Sequence, residues 1–178
     1  MRSAIKTLAV GALTVGALVA APAAFAADSV TQAVTSGSRT ASVADASLQS
    51  VATSHSITNG TGSLSLNVDD LSGTGVGWHV TEEVSAFVYS GSNDGTNIPA
   101  ANFAVTPGTV TGNGGASTTG LTVGSAGTLD SPVTVLSAAA GSGVGNYTQA
   151  LAASLTVPAD SRAGTYTGTL TTTITAAP

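Results

Sequence analysis

The stretch YTGTLTTTIT, residues 166–175, decides the fold class of this chain. Its large side chains are Tyr166, Leu170 and Ile174, and they share one face of an extended strand, because successive strand residues point to opposite sides. Every odd-numbered position from 167 to 175 is threonine. Because β-branched threonine suits a solvated strand surface, the stretch predicts a half-buried β-strand.

The same period of two recurs in GSLSLNVDD (62–70) and LAASLTV (151–157). Turn-forming pairs such as Asn59-Gly60 and Pro107-Gly108 separate the runs, and no run has the period of an ordinary helix. This pattern predicts an all-β chain folded as a single antiparallel β-sandwich with Greek-key-like connections. The predicted strands are 39–44, 47–53, 62–69, 76–90, 101–111, 119–124, 132–137, 146–157 and 164–175.

The N-terminus has the features of a cleaved signal peptide. Arg2 and Lys6 precede an apolar stretch at 8–20, and Ala24-Phe25-Ala26 forms an A-x-A cleavage site. A membrane anchor is disfavoured, because the apolar stretch is shorter than a bilayer requires. We therefore expect a signal peptide at 1–26, an N-terminal arm or edge strand at 27–38 and the sandwich domain at 39–178.

Composition narrows the possible partners. The chain has no cysteine, so no disulfide can stabilise it. Cleavage after residue 26 would leave two basic and nine acidic residues, a net charge of −7. Such a surface repels nucleic acid and anionic lipid head groups, so we expect neither nucleic acid nor, after cleavage of the signal peptide, a membrane as a partner.

The segments GWHV (77–80) and YTGTLTTTITAAP (166–178) together resemble the two motifs of the WxL-domain family of Gram-positive bacterial surface proteins. That family has a first motif W-x-L and a distal motif Y-x-x-x-L-x-W-x-L-x-x-A-P. In this chain GWHV (77–80) resembles the first and YTGTLTTTITAAP (166–178) the second, and the resemblance extends from about residue 39 to the end. Valine and isoleucine replace the motif leucines, and threonine stands where the second tryptophan would be. The matching residues are Trp78, His79, Val80, Tyr166, Leu170, Thr172, Ile174, Ala177 and Pro178.

The resemblance implies a secreted, non-catalytic protein that associates non-covalently with the bacterial cell wall. Its partner would be peptidoglycan or another wall polymer, and its location extracellular and attached to the wall. Other surface proteins, or further copies of the chain, are possible additional partners. The resemblance implies no cofactor. The residues it implies for wall binding are Trp78, His79, Val80, Tyr166, Leu170, Thr172 and Ile174.

The residues themselves leave two of these roles open. Trp78 is the chain's one tryptophan, and such a residue either fills a sandwich core or stacks on sugar rings at the surface. Tyr166 shares a face with Leu170 and Ile174, which favours packing, whereas a binding role for Tyr166 follows only from the family motif.

Catalytic and metal chemistry find little support in the sequence. The pairs Asp69-Asp70 and Glu82-Glu83 are the most suggestive carboxylates, but adjacent strand residues point to opposite faces, so each pair offers one carboxylate to a site. We interpret both pairs as solvated strand ends. His55 and His79 have no metal-binding spacing. We therefore expect no catalytic residues and no metal site.

One alternative function belongs to a different class. The segment 164–178 carries no charge, and the arm at 27–36 is weakly patterned. An uncharged strand at the edge of a sheet invites pairing with another chain. The sequence is therefore also compatible with a structural subunit of a surface coat or fibre that assembles by edge-strand pairing.

Overall fold

The computed structural model describes residues 31–177, and the predicted signal peptide at 1–26 lies outside them. The described part contains eleven strands and, as its one helical element, a 3₁₀ turn at Ala100–Asn102. It contains no helix long and apolar enough to cross a membrane. The strands are β1 (Arg39–Val43), β2 (Thr58–Asp70), β3 (Trp78–Val84), β4 (Val88–Ser90), β5 (Phe103–Asn113), β6 (Leu121–Val123), β7 (Gly127–Thr128), β8 (Val133–Ala138), β9 (Gly145–Val157), β10 (Thr165–Thr167) and β11 (Leu170–Ala176).

The strands form an antiparallel sandwich. One sheet has the order β1-β2-β9-β5-β7, the other has the order β11-β3-β8-β6, and β10 and β4 form a small separate ribbon. Only β1 and β2 are hydrogen-bonded neighbours that also follow each other in sequence. The chain otherwise crosses between sheets from one strand to the next, which produces Greek-key-like connections. The predicted all-β antiparallel sandwich is confirmed.

The core lies between the sheets and follows the predicted alternation. Leu64, Leu66 and Val68 of β2 point inward beside Leu151 of β9, and all four are buried. Strands β2 and β9 are the longest pair and stay in register from one end to the other. Burial of each large aliphatic side chain contributes roughly 1.5–3 kcal/mol, so this ladder is a main source of stability.

Several predicted strands differ from the observed ones. The predicted strand at 47–53 is wrong: this segment lies against β2 and makes one backbone hydrogen bond to it, from Gln49 N to Thr61 O at 2.8 Å. The predicted strands 76–90 and 164–175 are each split in two, because the chain leaves the second sheet there to form the β4–β10 ribbon. The short strand β7 was not predicted.

Residues 31–38 form no strand, although the last of them are held against the domain. Gly37 N donates to Leu71 O at 2.9 Å, and the Ser36 hydroxyl donates to Ser72 O at 2.7 Å. These bonds continue the line of contact between β1 and β2. The division into an arm at 27–38 and a domain at 39–178 stays a prediction.

Candidate functional site

The two motif segments lie far apart in sequence but side by side in the structure. Strand β11 pairs antiparallel with β3, so that Ile174 lies opposite Val80 and Ala176 opposite Trp78. Beyond the last pair, Ala177 N donates to Gly77 O at 3.2 Å. The first motif and the end of the distal motif therefore form one continuous two-stranded unit.

Trp78 is a core residue. Its side chain is fully buried, its ring centroid lies 6.1 Å from that of Tyr147, and its indole Nε1 donates to Gly143 O at 3.0 Å. Val80, two residues later on the same face, is fully buried as well. The structure thus answers the question that the sequence left open: Trp78 fills the core and offers no face to a ligand.

Two glycine-rich loops close the sandwich over Trp78. Gly141 N in one loop donates to Gly75 O in the other at 2.8 Å. Gly143 has φ +82°, and a Cβ there would lie 2.5 Å from Trp78 Nε1. Only glycine allows the chain to pass this close to the indole, and it adopts a positive φ at little steric cost.

The distal motif residues on β11 are half-buried along the edge of the core. Leu170, Thr172 and Ile174 all point inward. His79 belongs to the opposite, outer face, where its Nε2 lies 2.7 Å from the Thr175 hydroxyl. Five of the seven motif candidates therefore pack inward on the β3–β11 pair, and His79 lies on its outer surface.

Thr172 contacts a buried carboxyl group. Its hydroxyl lies 2.9 Å and 3.1 Å from the two carboxyl oxygens of Glu82, which stands opposite it on β3. Glu82 is fully buried. Burial raises the pKa of Glu82 to about 7, although the hydrogen bond from Thr172 acts in the opposite direction. The threonine at the position of the second motif tryptophan thus provides the hydrogen bond for this acid.

Asp70 is the second buried acid, and it forms an ion pair. Its Oδ2 lies 3.2 Å from the Arg39 guanidinium, and its Oδ1 accepts from Ser72 N at 2.9 Å. Burial alone would raise the pKa of Asp70, but hydrogen bonds from Ser72 and Arg39 and the charge of Arg39 together lower it. The interpretation of the acidic pairs as solvated strand ends is therefore wrong for Asp70 and Glu82.

Tyr166 lies apart from the other motif residues. It is on β10, opposite Tyr89 of β4, with the two ring centroids 5.3 Å apart. Its hydroxyl donates to Arg162 O at 3.0 Å. Tyr166 is half-buried and lines an open groove at this end of the sandwich.

The groove has a volume of about 750 Å³ and runs between segments 46–53 and 161–168. Sequence reasoning missed Arg162, which lines the groove and is exposed. The sequence could have singled out Arg162, because Arg162 and Arg39 are the two basic residues that follow the predicted signal peptide. The floor consists of Gly60, Phe87, Ile98, Leu155 and Val157.

A family model described as "WxL domain surface cell wall-binding" matches residues 14–178, which include the whole described part of the chain. The chain belongs to the WxL-domain family. It is accordingly an extracellular, cell-wall-associated protein with a surface wall-binding domain. No curated protein and no solved structure is significantly similar to this WxL domain.

Proposed function

We propose that this WxL domain attaches the protein non-covalently to peptidoglycan and catalyses no reaction. Cell-wall binding is the property of the family. The observation that carries the proposal is the in-register pairing of the two motifs, in which Ile174 faces Val80 and Ala176 faces Trp78. The sequence features that mark the family thus form one structural unit in this chain.

The seven motif residues divide into two groups under this proposal. Trp78 and Val80 are buried, and they support the fold rather than contact the wall. Leu170 and Ile174 pack against the same core from β11, and Thr172 is hydrogen-bonded to the buried Glu82. The other five are partly exposed, but Tyr166 alone lines a groove. We infer that Tyr166 is the motif residue closest to the bound polymer.

The placement of the acidic residues supports a non-catalytic role. A glycosidase needs two carboxyl groups that face each other across a substrate cleft. Asp70 and Glu82 are both buried, the first in an ion pair with Arg39 and the second beside Thr172. Neither carboxyl group is among the residues that line the groove.

Co-sedimentation with purified Gram-positive sacculi tests this function. We expect the mature protein to pellet saturably with sacculi from which teichoic acids have been removed. A muramidase digest of the same sacculi should compete for the protein. If pelleting requires the teichoic acids, the partner is a different wall polymer and peptidoglycan is the wrong assignment. If the folded protein pellets with neither preparation, wall attachment itself is wrong.

A second candidate function is assembly by edge-strand pairing. It is favoured by β11, which is one of the two edge strands of its sheet, is bonded to β3 on one side and carries no charged residue. Such an edge can add a strand from another copy. Light scattering should then show growth with protein concentration, and a lysine in place of the exposed Thr173 should suppress it. A concentration-independent monomer would rule out this candidate.

A further inference from the structure

The described part of the chain has two basic side chains, and they differ in their surroundings. Arg39 is largely buried, and its guanidinium is paired with Asp70 at 3.2 Å. Arg162 is exposed, and within residues 31–177 it forms no ion pair. The one cation of this region that is free to meet a ligand therefore lies at the groove beside Tyr166.

The groove also excludes acidic side chains. None of the aspartate and glutamate residues within 31–177 lines the groove. Asp160, two residues from Arg162, is bound to His55 instead, with 2.6 Å between Oδ1 and Nδ1. Arg162 is thus the one charged side chain among the residues that line the groove, and its guanidinium can pair with a single anionic group of a ligand.

The first wall of the groove, segment 46–53, is held against β2 by close packing. A Cβ at Gly62 would lie 2.8 Å from Leu48 Cδ2, and a Cβ at Gly60 would lie 3.1 Å from Gln49 O. The two glycines therefore let this segment lie directly over the strand. Because it forms no strand itself, most of its backbone N–H and C=O groups have no ladder partner and can bind a peptide-like ligand.

The second wall, segment 161–168, is fixed by hydrogen bonds. The hydroxyl of Tyr89 donates to Ala163 O at 2.9 Å, and the hydroxyl of Tyr166 donates to Arg162 O at 3.0 Å. The backbone carbonyl groups of Arg162 and Ala163 are thereby hydrogen-bonded to the two tyrosines of the β4–β10 ribbon. The guanidinium of Arg162 is presented from a backbone that is already ordered, which lowers the entropy cost of binding.

We propose that the groove binds the stem peptide of peptidoglycan, with a free carboxylate of that peptide paired to Arg162. This proposal rests on the proposed function and names the ligand of that site. A guanidinium forms two parallel hydrogen bonds with a carboxylate. The exposed Val51 on the first wall and the partly exposed Val157 on the floor offer apolar surface to short aliphatic side chains.

A long phosphate polymer fits this site less well than a peptide. One cation can neutralise one anionic group, whereas a polyanion would bring many charges towards a chain that is strongly acidic. The single cation therefore favours a ligand that presents one carboxylate to the groove over a densely charged polyanion.

The test measures the affinity of the mature protein for soluble disaccharide-peptides released from sacculi by muramidase. Arg162→Gln should weaken binding about tenfold or more, because a charge-assisted pair is lost. The control is Thr122→Glu, on β6 and away from the groove, which lowers the net charge by one unit, as Arg162→Gln does. It should change the affinity less than about twofold. Ser50→Trp, which narrows the groove from the other wall, should also weaken binding.

The ligand supplies a second arm. When the carboxyl groups of the disaccharide-peptides are converted to amides, binding by the wild-type protein should weaken as much as it does in Arg162→Gln. Equal affinities of folded Arg162→Gln and wild type, or tight binding of the amidated ligand, would overturn the proposal. The proposal would also be overturned if Arg162→Gln lost binding to free teichoic acid but kept its affinity for the disaccharide-peptides. In each case, wild-type pelleting with sacculi shows separately whether wall attachment holds.

Discussion

Trp78 shows how a motif residue is defined by its packing. Its ring is completely buried, yet its one polar atom keeps a hydrogen bond to Gly143 O. A buried indole N–H usually finds such a partner. The sequence left the role of Trp78 open, because the residues that cover it belong to a distant loop at 139–145. Alternation along β3 predicted that Trp78 and Val80 lie on the same face of the strand. It did not predict whether that face points to the core or to solvent.

Replacement of Trp78 should chiefly change stability. We expect Trp78→Ala to lower the free energy of unfolding by about 3–5 kcal/mol, because it leaves a large cavity and Gly143 O without its donor. Trp78→Phe should cost less, since most of the volume remains. Urea denaturation measures both values, with His79→Ala on the outer face as the control. Equal stability of Trp78→Ala and His79→Ala would contradict the buried position.

Glu82 should make the stability of the protein depend on pH. Its pKa in the folded state is about 7, above the ordinary 4.5, so the folded protein binds this proton more tightly than the unfolded chain does. The contribution of Glu82 to stability is therefore fully present below pH 4.5 and is lost as the pH rises through 7. The loss corresponds to about 3–4 kcal/mol, because the pKa rises from 4.5 to about 7 and one pKa unit corresponds to about 1.4 kcal/mol.

Glu82→Gln should remove this dependence and make the protein more stable than wild type at pH 8. Thermal or urea unfolding between pH 4 and pH 8 measures the effect. The matched control is Glu83→Gln, which removes a carboxyl group at an exposed position on the same strand and leaves the buried Glu82 in place. Parallel profiles for wild type and Glu82→Gln would show that Glu82 is not the titrating group.

At the scale of strands and loops, local pattern predicted most of the sheet. The long strands β2, β5 and β9 were expected within a few residues of their observed ends. The two pairs predicted to form turns are exceptions, because Asn59-Gly60 lies inside β2 and Pro107-Gly108 lies at a register shift inside β5. The segment 47–53 shows the limit of this reasoning. It has strand-like composition, but it lies over the glycines of β2 and joins no ladder. Alternation of apolar and polar residues indicates that one side of a segment faces the protein. It does not indicate which strand, if any, the segment pairs with.

The loops over Trp78 offer a matched pair of glycines. Gly143 and Gly73 both have positive φ, +82° and +64°. A Cβ at 143 would collide with the indole at 2.5 Å, whereas a Cβ at 73 has nothing within 4 Å. Gly73→Ala should cost about 1–2 kcal/mol of stability from backbone strain alone. Gly143→Ala should cost clearly more, by at least about 1 kcal/mol, and equal losses in urea denaturation would contradict the close approach.

At the scale of the whole molecule, the fold class followed from the sequence and the groove did not. The groove joins segments 46–53 and 161–168, which are distant in sequence and become neighbours through the pairing of β2 with β9 and of β4 with β10. Tyr166 was identified through the motif, whereas Arg162 falls outside it. A family motif identifies residues that family members share, and Arg162 is not one of them. Its position at the groove can be seen only in the three-dimensional structure.

The WxL motif tryptophan is buried in the core of this domain, and we propose that a different surface contacts the wall. The most direct test is a pair of binding isotherms to teichoic-acid-free sacculi, for wild type and for Trp78→Phe, at a temperature where both are folded. The structure predicts saturable binding with the same affinity for both proteins. Absence of saturable binding by wild type, or its loss in the folded Trp78→Phe variant, would contradict the claim.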